Sequence, residues 1–211
     1  MPDLLPVGVS VRDLVGEPAG GPLLPEERAA LGPVSEQRRR EFAAARRCAR
    51  EAVRALGLVP GPLPPGPDRA PVWPGGLVGS LTHCRGYTAA AVAPRSGFRT
   101  VGIDAEPCRP LPRGVLAKVA DARERAHLAS LPPGVPWDTV LFSAKESVYK
   151  AWHPLARTWL GFADAALVID PAAGAFTATI GVGGPVTGFT GRFAVRGGLV
   201  LTAIALEEPC A

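Results

Sequence analysis

One stretch without glycine or proline constrains the fold of this chain more than any other feature. The 211 residues include 25 Gly and 24 Pro, yet residues 36–56 contain neither. Ser35 is a suitable N-cap residue, and Gly57 stands where a glycine commonly follows a helix. Apolar residues such as Phe42 and Val53 recur at helical spacing between them. The pattern predicts one long helix over residues 35–56, with its apolar side facing the core.

The predicted helix is strongly basic. Residues 35–57 hold seven Arg and three Glu, and this local excess of +4 equals the formal net charge of the whole chain. Guanidinium groups bind phosphate through paired hydrogen bonds, so we expect an anion to bind here. An ordinary solvated helix face is the alternative interpretation.

Turn residues divide the rest of the chain into short elements. Residues 60–74 form a proline-rich loop, and residues 113–131 have a helical pattern. A second long helix is expected from Asp138 to about His153, where Pro154 interrupts it. An antiparallel meander is predicted over residues 77–82, 86–93 and 99–104, and further strands over residues 165–170, 176–180, 189–195 and 199–206.

A long helix followed by short strands therefore occurs twice. We expect an α+β fold of two similar halves, residues 1–102 and 103–211, each with a long helix and a three-stranded antiparallel sheet. A cleft between two such halves is a natural ligand site, so the active site is expected there.

Composition excludes several classes of protein. No apolar run approaches the roughly 20 residues that cross a bilayer, and the first residues lack a secretory signal pattern, so we expect a cytoplasmic protein without membrane contact. Cys48, Cys84, Cys108 and Cys210 are scattered without a C-x-x-C pair. This spacing argues against a zinc site and a disulfide scaffold, and predicts reduced thiols.

Two carboxylates follow one predicted strand. Asp104 and Glu106 are two residues apart, so an extended backbone directs both side chains the same way, and Gly102 leaves room for close approach. Two oxygen donors of this kind suit Mg²⁺. A solvated strand end is the alternative.

Two further groups of residues could carry chemistry. Glu146 and Lys150 are i,i+4 neighbours on the second long helix, and two of the chain's three lysines, Lys145 and Lys150, flank Glu146. A surface ion pair is the alternative for this group. His83 follows a strand beside Thr82 and could donate to a phosphate or act as a base, with a structural histidine as the alternative.

These motifs, in this order, resemble the 4′-phosphopantetheinyl transferases of the single-chain, pseudo-dimeric type that serve siderophore, peptide and polyketide synthases. The resemblance extends over roughly residues 24–206. Its blocks are RRCAR (46–50), APVWPG (70–75), GSLTHC (79–84), VGIDAEP (101–107), FSAKESVYKAW (142–152) and WLGF (159–162).

The resemblance implies a reaction and a set of site residues. The enzyme would transfer the 4′-phosphopantetheine group of coenzyme A to a serine of an acyl or peptidyl carrier protein, release 3′,5′-ADP and depend on Mg²⁺. The implied metal ligands are Asp104, Glu106, Glu146 and the Ala105 carbonyl. The implied coenzyme A contacts are Arg38, Arg46, Arg69, Thr82, His83, Lys145 and Lys150. Glu146, directly or through a metal-bound water, would take the serine proton, and Lys150 would stabilise the leaving nucleotide.

Two other functions remain open on the sequence. A nucleic-acid-binding protein could use the Arg-rich helix, although that function would leave the acidic residues unexplained. A related protein could also bind coenzyme A without catalysing transfer. We expect a monomer whose partners are carrier proteins and coenzyme A, with neither a nucleic acid nor a membrane among them.

Overall fold

A computed structural model describes residues 1–18 and 20–209. The helices are α1 (Pro25–Leu31), α2 (Glu36–Ala55), α3 (Leu116–Val119), α4 (Ala122–Ser130) and α5 (Trp137–Ala156), with short 3-10 turns at Pro2–Leu4 and Phe162–Asp164. The strands are β1 (Ser10–Val15), β2 (Leu77–Cys84), β3 (Tyr87–Pro94), β4 (Phe98–Pro107), β5 (Ala165–Asp170), β6 (Ala175–Ile180), β7 (Gly188–Arg196) and β8 (Leu199–Glu207).

The first long helix forms as the sequence predicts. The Ser35 hydroxyl accepts a hydrogen bond from the Arg38 backbone N–H at 3.2 Å and caps the first turn of α2. Gly57 follows the helix with φ of 77°, a conformation that glycine adopts without a Cβ penalty. Both apolar residues are buried: Val53 packs with Leu77 and Val92 of the first sheet, and Phe42 packs with Leu23. The capping residues and the helical spacing of apolar residues therefore predict the same bounds for α2.

Two antiparallel sheets give the chain a two-lobed α+β fold, as predicted. The first sheet has the order β1-β3-β2, and α2 lies on it. The second has the order β4-β8-β7-β6-β5, and α5 packs against it. Apolar residues from both sheets, including Val78, Ile103 and Leu201, form a further core between them.

The prediction of one three-stranded sheet in each half is wrong in the assignment of one strand. The third strand of the expected meander, now β4, pairs with β8 and not with β3, and β1 takes its place in the first sheet. The second sheet consequently has five strands. Gly102 explains the choice, because a Cβ there would lie 2.1 Å from the Ser147 carbonyl oxygen. Because Gly102 has no side chain, α5 packs directly on β4. This packing favours the pairing of β4 with the second sheet.

Two helix predictions also need correction. The expected helix over residues 113–131 is split into α3 and α4, because Asp121 caps the start of α4 in a reciprocal pair of hydrogen bonds with Glu124. The second long helix does not stop at Pro154. It runs on to Ala156, where the Arg157 N–H closes the last turn on the His153 carbonyl at 2.9 Å.

The two lobes share one buried contact pattern. Glu27 is the third residue of α1 and binds Arg50 of α2 at 2.8 Å, while Glu124 is the third residue of α4 and binds Lys145 of α5 at 2.9 Å. Each carboxylate also accepts its own N-cap N–H and one backbone N–H beyond the long helix. This repetition supports two similar halves. The boundary expected between residues 102 and 103 falls inside β4 and stays a prediction.

Among the described residues, no helix is long and apolar enough to cross a membrane. Cys48, Cys84 and Cys108 are free thiols, and Cys210 lies outside the described residues.

Candidate active site

The two lobes meet where the edge strands β2 and β4 lie side by side. The Ile103 N–H donates to the Ser80 hydroxyl at 3.1 Å, and the Ala105 N–H donates to the Thr82 hydroxyl at 3.1 Å. Side-chain hydroxyls of the first lobe thus accept hydrogen bonds from backbone N–H groups of the second lobe. This arrangement places Thr82 beside Asp104.

Asp104 is the centre of the junction and is only 4% exposed. Its carboxylate accepts hydrogen bonds from Lys150 Nζ at 2.6 Å, the Ser143 hydroxyl at 2.8 Å and the Thr82 hydroxyl at 3.3 Å. Lys150 also donates to the Ile103 carbonyl at 3.1 Å. These contacts hold the carboxylate and the ammonium in fixed positions.

A buried chain of hydroxyls lies behind Asp104, and sequence reasoning missed it. The Ser143 hydroxyl lies 2.9 Å from that of Thr202, which lies 2.6 Å from that of Ser147, and all three residues are fully buried. The chain joins α5 to β8 and restricts the Asp104 carboxylate. Helical spacing could have pointed to Ser143, which shares a face with Lys150 two turns away.

Glu106 and Glu146 are half-buried near Asp104. Burial, and then the charge of Asp104, raise the pKa of Glu106 to about 7, and the same two causes raise the pKa of Glu146. Within residues 1–18 and 20–209 neither carboxylate accepts a hydrogen bond. Three acidic groups around one ammonium leave an excess of negative charge.

Oxygen donors with excess negative charge are what Mg²⁺ prefers, so the residues present fit the predicted metal. Within the described part of the chain, however, no three His, Cys, Asp or Glu side chains stand close enough together to enclose an ion. Ala105, expected to offer its carbonyl, is buried between the sheets.

A cavity of about 610 Å³ opens beside Asp104, and both lobes line it. Six of the seven residues predicted to contact coenzyme A line this cavity: Arg38, Arg46, Arg69, Thr82, His83 and Lys150. Sequence reasoning missed several other polar wall residues, which are Asp68, Arg95, Tyr149, His153 and Arg157. The charged residues of the wall are therefore predominantly basic.

Two basic residues of α2 reach this cavity in different ways. Arg38 donates to Nε2 of His83 at 2.8 Å, which requires that nitrogen to be an unprotonated acceptor. Arg46 is 6% exposed, and its guanidinium lies 3.6 Å from the centre of the Phe42 ring. Burial lowers the pKa of Arg46 to about 10, which still leaves it charged at neutral pH.

The other arginines of α2 do not form one basic surface. Arg39 and Arg40 pair with Glu36, and Arg47 pairs with Glu51. Arg38, which lines the cavity, also lies 3.5 Å from Glu41, whereas Arg54 is exposed and forms no ion pair among the described residues. The basic residues of α2 are thus spread over intrahelical ion pairs, the buried pair with Glu27, the cavity and the exposed end of the helix. The prediction that α2 binds an anion therefore applies to Arg38 and Arg46, the two arginines of this helix that line the cavity.

The structure does not bring Lys145 to the cavity. Its ammonium is buried and donates to the Glu124 carboxylate at 2.9 Å and to the carbonyls of Val119 and Phe162 at 2.8 and 2.7 Å. All three N–H donors have protein partners, so none is left for a phosphate. Lys145 ties α3, α4 and the chain after α5 to α5.

His153, which the sequence gave no reason to separate from structural histidines, lies at the cavity wall. Its Nε2 is 3.4 Å from the Asp68 carboxylate, so α5 touches the proline-rich loop here. The Tyr149 ring lies 5.6 Å from the His153 ring and also borders a smaller cavity of about 200 Å³ beside Glu146.

Comparison with known proteins decides the family. The family model described as the 4′-phosphopantetheinyl transferase N-terminal domain matches residues 14–93, and that of the 4′-phosphopantetheinyl transferase superfamily matches residues 100–201. The chain belongs to the 4′-phosphopantetheinyl transferase superfamily. Its resemblance to this family is thereby confirmed, and it is an enzyme that transfers phosphopantetheine to carrier proteins.

The chain is similar to transferases from Streptomyces, Mycobacterium and Nocardia species. The chain is 53% identical over 196 residues to the 4′-phosphopantetheinyl transferase Svp of Streptomyces mobaraensis, a match that covers 89% of this chain and 80% of Svp. It is 44% identical over 205 residues to PptT of Mycobacterium tuberculosis, with 92% and 90% covered. It is 42% identical over 216 residues to Npt of Nocardia iowensis, with 96% and 97% covered.

Proposed function

We propose that this transferase takes 4′-phosphopantetheine from coenzyme A, attaches it to a serine of an acyl or peptidyl carrier protein and releases 3′,5′-ADP. The observation that carries the proposal is the basic cavity that ends at Asp104 and Lys150. Its volume lies within the range of roughly 300–1,000 Å³ that small-molecule sites have.

Charge complementarity supports coenzyme A as the donor. The molecule carries a diphosphate and a 3′-phosphate, and a cavity that binds it must neutralise several negative charges. Arg38 and the buried Arg46 supply charged donors for them, and His83 accepts a hydrogen bond from Arg38 at the cavity wall. Because Arg46 is held between the Phe42 ring and the Leu63 carbonyl, little side-chain freedom is lost on binding.

Asp104, Glu106 and Glu146 would hold Mg²⁺, with the Ala105 carbonyl as a predicted further ligand. When bound, the ion supplies positive charge to the diphosphate oxygens, where negative charge develops during transfer. The surplus of three carboxylates over one ammonium supports this assignment.

Glu146 and Lys150 would act at opposite ends of the transfer. The serine oxygen forms a bond to the phosphorus that carries pantetheine, and the bond from that phosphorus to the 3′,5′-ADP oxygen breaks with its electron pair. Glu146 would accept the serine proton, which its raised pKa favours. Lys150, held in place by Asp104 and the Ile103 carbonyl, would stabilise the negative charge on the leaving nucleotide.

Incubation of a carrier protein with the enzyme, coenzyme A and Mg²⁺, followed by intact-mass measurement, tests the proposal. We expect the mass to rise by one phosphopantetheine, and no rise for a carrier whose acceptor serine is replaced by alanine. An unmodified wild-type carrier across a panel of acyl and peptidyl carriers would contradict the proposal.

Nucleic-acid binding finds less support, because three exposed arginines of α2, Arg39, Arg40 and Arg47, pair with glutamates of the same helix. Binding of coenzyme A without transfer also finds less support, because the acidic cluster and Lys150 lie beside the cavity. A monomer acting in the cytoplasm stays a prediction.

A further inference from the structure

Three fully buried residues of the second lobe carry hydroxyls in the middle of an apolar core. Thr202 of β8 lies between Val200 and Ile204, which are both core residues under α5. Ser143 and Ser147 occupy similar places on α5 itself. Burying a hydroxyl is unfavourable unless it forms hydrogen bonds, and valine or alanine would fill the same places without that cost. The three hydroxyls therefore point to a role other than packing.

Strand register connects the hydroxyl chain of Ser143, Thr202 and Ser147 to Asp104. Asp104 and Thr202 are directly opposite each other in the β4–β8 ladder, so their side chains lie on the same face of the sheet. Ser143 and Ser147 are one helical turn apart on α5, and both contact this face. The hydroxyl chain thus runs from the helix through β8 to the carboxylate of β4.

The number of protons fixes the direction of every bond in the hydroxyl chain. Three side-chain contacts of 2.8, 2.9 and 2.6 Å have to be filled, and each hydroxyl supplies one proton. Because a carboxylate only accepts, the Ser143 proton is committed to Asp104. The contact between Ser143 and Thr202 then needs the Thr202 proton, and the contact between Thr202 and Ser147 needs the Ser147 proton. All three O–H dipoles consequently point toward Asp104, and bonds aligned in this way strengthen one another.

The hydroxyl chain acts on one oxygen of Asp104. Oδ1 accepts from Lys150 at 2.6 Å and from Thr82 at 3.3 Å, which uses both of its lone pairs. Among the described residues, Oδ2 accepts from Ser143 alone and keeps one lone pair. A cation that binds Asp104 would use this lone pair. Ser143 therefore sets the direction in which Asp104 offers it.

We propose that Ser143, held by Thr202 and Ser147, is a positioning residue that orients Asp104 for Mg²⁺ and sets the affinity of the site for the ion. The proposal rests on the proposed magnesium site. A carboxylate that is already oriented loses little freedom when the ion binds, so the hydroxyl chain favours binding. Its effect should fall from Ser143 to Thr202 to Ser147, because each bond acts through the one before it.

Two substitutions of Thr202 separate orientation from packing. Thr202→Ser keeps the hydroxyl and removes a methyl group, whereas Thr202→Val keeps the shape and removes the hydroxyl. We expect Thr202→Ser to bind Mn²⁺, which accepts the same oxygen ligands as Mg²⁺, as tightly as wild type despite a lower Tm. Thr202→Val should bind Mn²⁺ more weakly than Thr202→Ser does. A role in packing alone would not give this order.

Substitutions at the two ends of the hydroxyl chain test how its effect declines. Ser143→Ala should weaken Mn²⁺ binding about 10–100-fold, as is usual when a group that orients a metal ligand is lost. Ser147→Ala should weaken it less than Thr202→Val does. Thr100→Val is the matched control, because Thr100 is also buried on β4 and donates to the Ala151 carbonyl of α5 at 2.9 Å, outside the hydroxyl chain. It should leave the Mn²⁺ affinity unchanged.

Titration with Mn²⁺ alone, followed by electron paramagnetic resonance of the free ion, measures these affinities, and circular dichroism confirms folding. Equal affinities for wild type and Ser143→Ala, or weaker binding by Thr202→Ser than by Thr202→Val, would overturn the proposal. If Ser143→Ala does not fold, the two Thr202 variants decide.

The same titration distinguishes this proposal from the proposed function. A wild type that modifies carriers, with variants that all bind Mn²⁺ as it does, would contradict the role of the hydroxyl chain alone. The expected order of affinities in an enzyme that modifies no carrier would contradict the proposed function alone. A wild type that binds no Mn²⁺ would overturn the magnesium site and this proposal together.

Discussion

Replacing Glu106 with glutamine should make the enzyme more stable at alkaline pH. In the folded state, burial and the charge of Asp104 raise the pKa of Glu106 from 4.5 to about 7. Between those values the folded protein binds a proton that the unfolded chain has released. The free energy of unfolding therefore falls as the pH rises through this window, and the whole cost is present above pH 7. Glutamine mimics the protonated form and removes the cost.

The size of the effect follows from the pKa difference. At about 1.4 kcal/mol per unit, the shift corresponds to about 3 kcal/mol. Glu106 is only half-buried, and solvent screening reduces the cost to about 1.5 kcal/mol. For a chain of this length we expect the Tm of Glu106→Gln to exceed that of wild type by about 3–6 °C at pH 8, and to equal it near pH 4.5.

Thermal unfolding followed by circular dichroism, from pH 4.5 to 8 in EDTA, measures the difference. Glu17→Gln, at an exposed glutamate, is the control and should leave the pH profile unchanged. Adding Mg²⁺ at pH 8 should raise the Tm of the wild type more than that of Glu106→Gln, because the ion would occupy the cluster that Glu106 completes. Parallel pH profiles for wild type and Glu106→Gln would refute the reasoning about this carboxylate.

Three further substitutions test other parts of the structure. Lys145→Ala leaves the buried Glu124 carboxylate without its ion-pair partner. It should therefore lower the free energy of unfolding, measured in urea, by about 3–5 kcal/mol. Gly102→Ala forces a Cβ to within 2.1 Å of the Ser147 carbonyl, and overpacking of this kind should cost about 3 kcal/mol in the same assay. Lys150→Ala should lower kcat by about 10²–10³-fold with a small effect on the Michaelis constant for coenzyme A, as steady-state kinetics would show.

Local signals were sufficient for some elements and insufficient for others. The Ser35 cap, the helical spacing and Gly57 lie within one stretch, so α2 could be predicted almost to the residue. The partner of β4 could not, because strand pairing depends on residues about a hundred positions away. The decisive residue, Gly102, was noted in the sequence, but its neighbour is a turn of α5 that only the folded chain brings near.

In the candidate site, too, some residues could be predicted from local sequence and others could not. The motif residues Thr82, Asp104 and Lys150 could be selected from the sequence, and the fold brings them into contact. Lys145 lies in the same motif, yet its ammonium points into the lobe, since Glu124 comes from an element whose approach no local pattern reveals. Thr202 was missed for the opposite reason, because one hydroxyl in an apolar strand carries no signal until Ser143 lies beside it.

The hydroxyls of Ser80 and Thr82 have a consequence for how the protein fails under stress. They cover backbone N–H groups of β4 that a neighbouring strand would otherwise bind, so the lobes meet without merging into one sheet. If the lobes part, the same groups become an open edge that can pair with another copy of the chain. Heat or mild denaturant should therefore drive aggregation through β4 before either helix-covered core melts, and the strand that presents Asp104 is the one exposed.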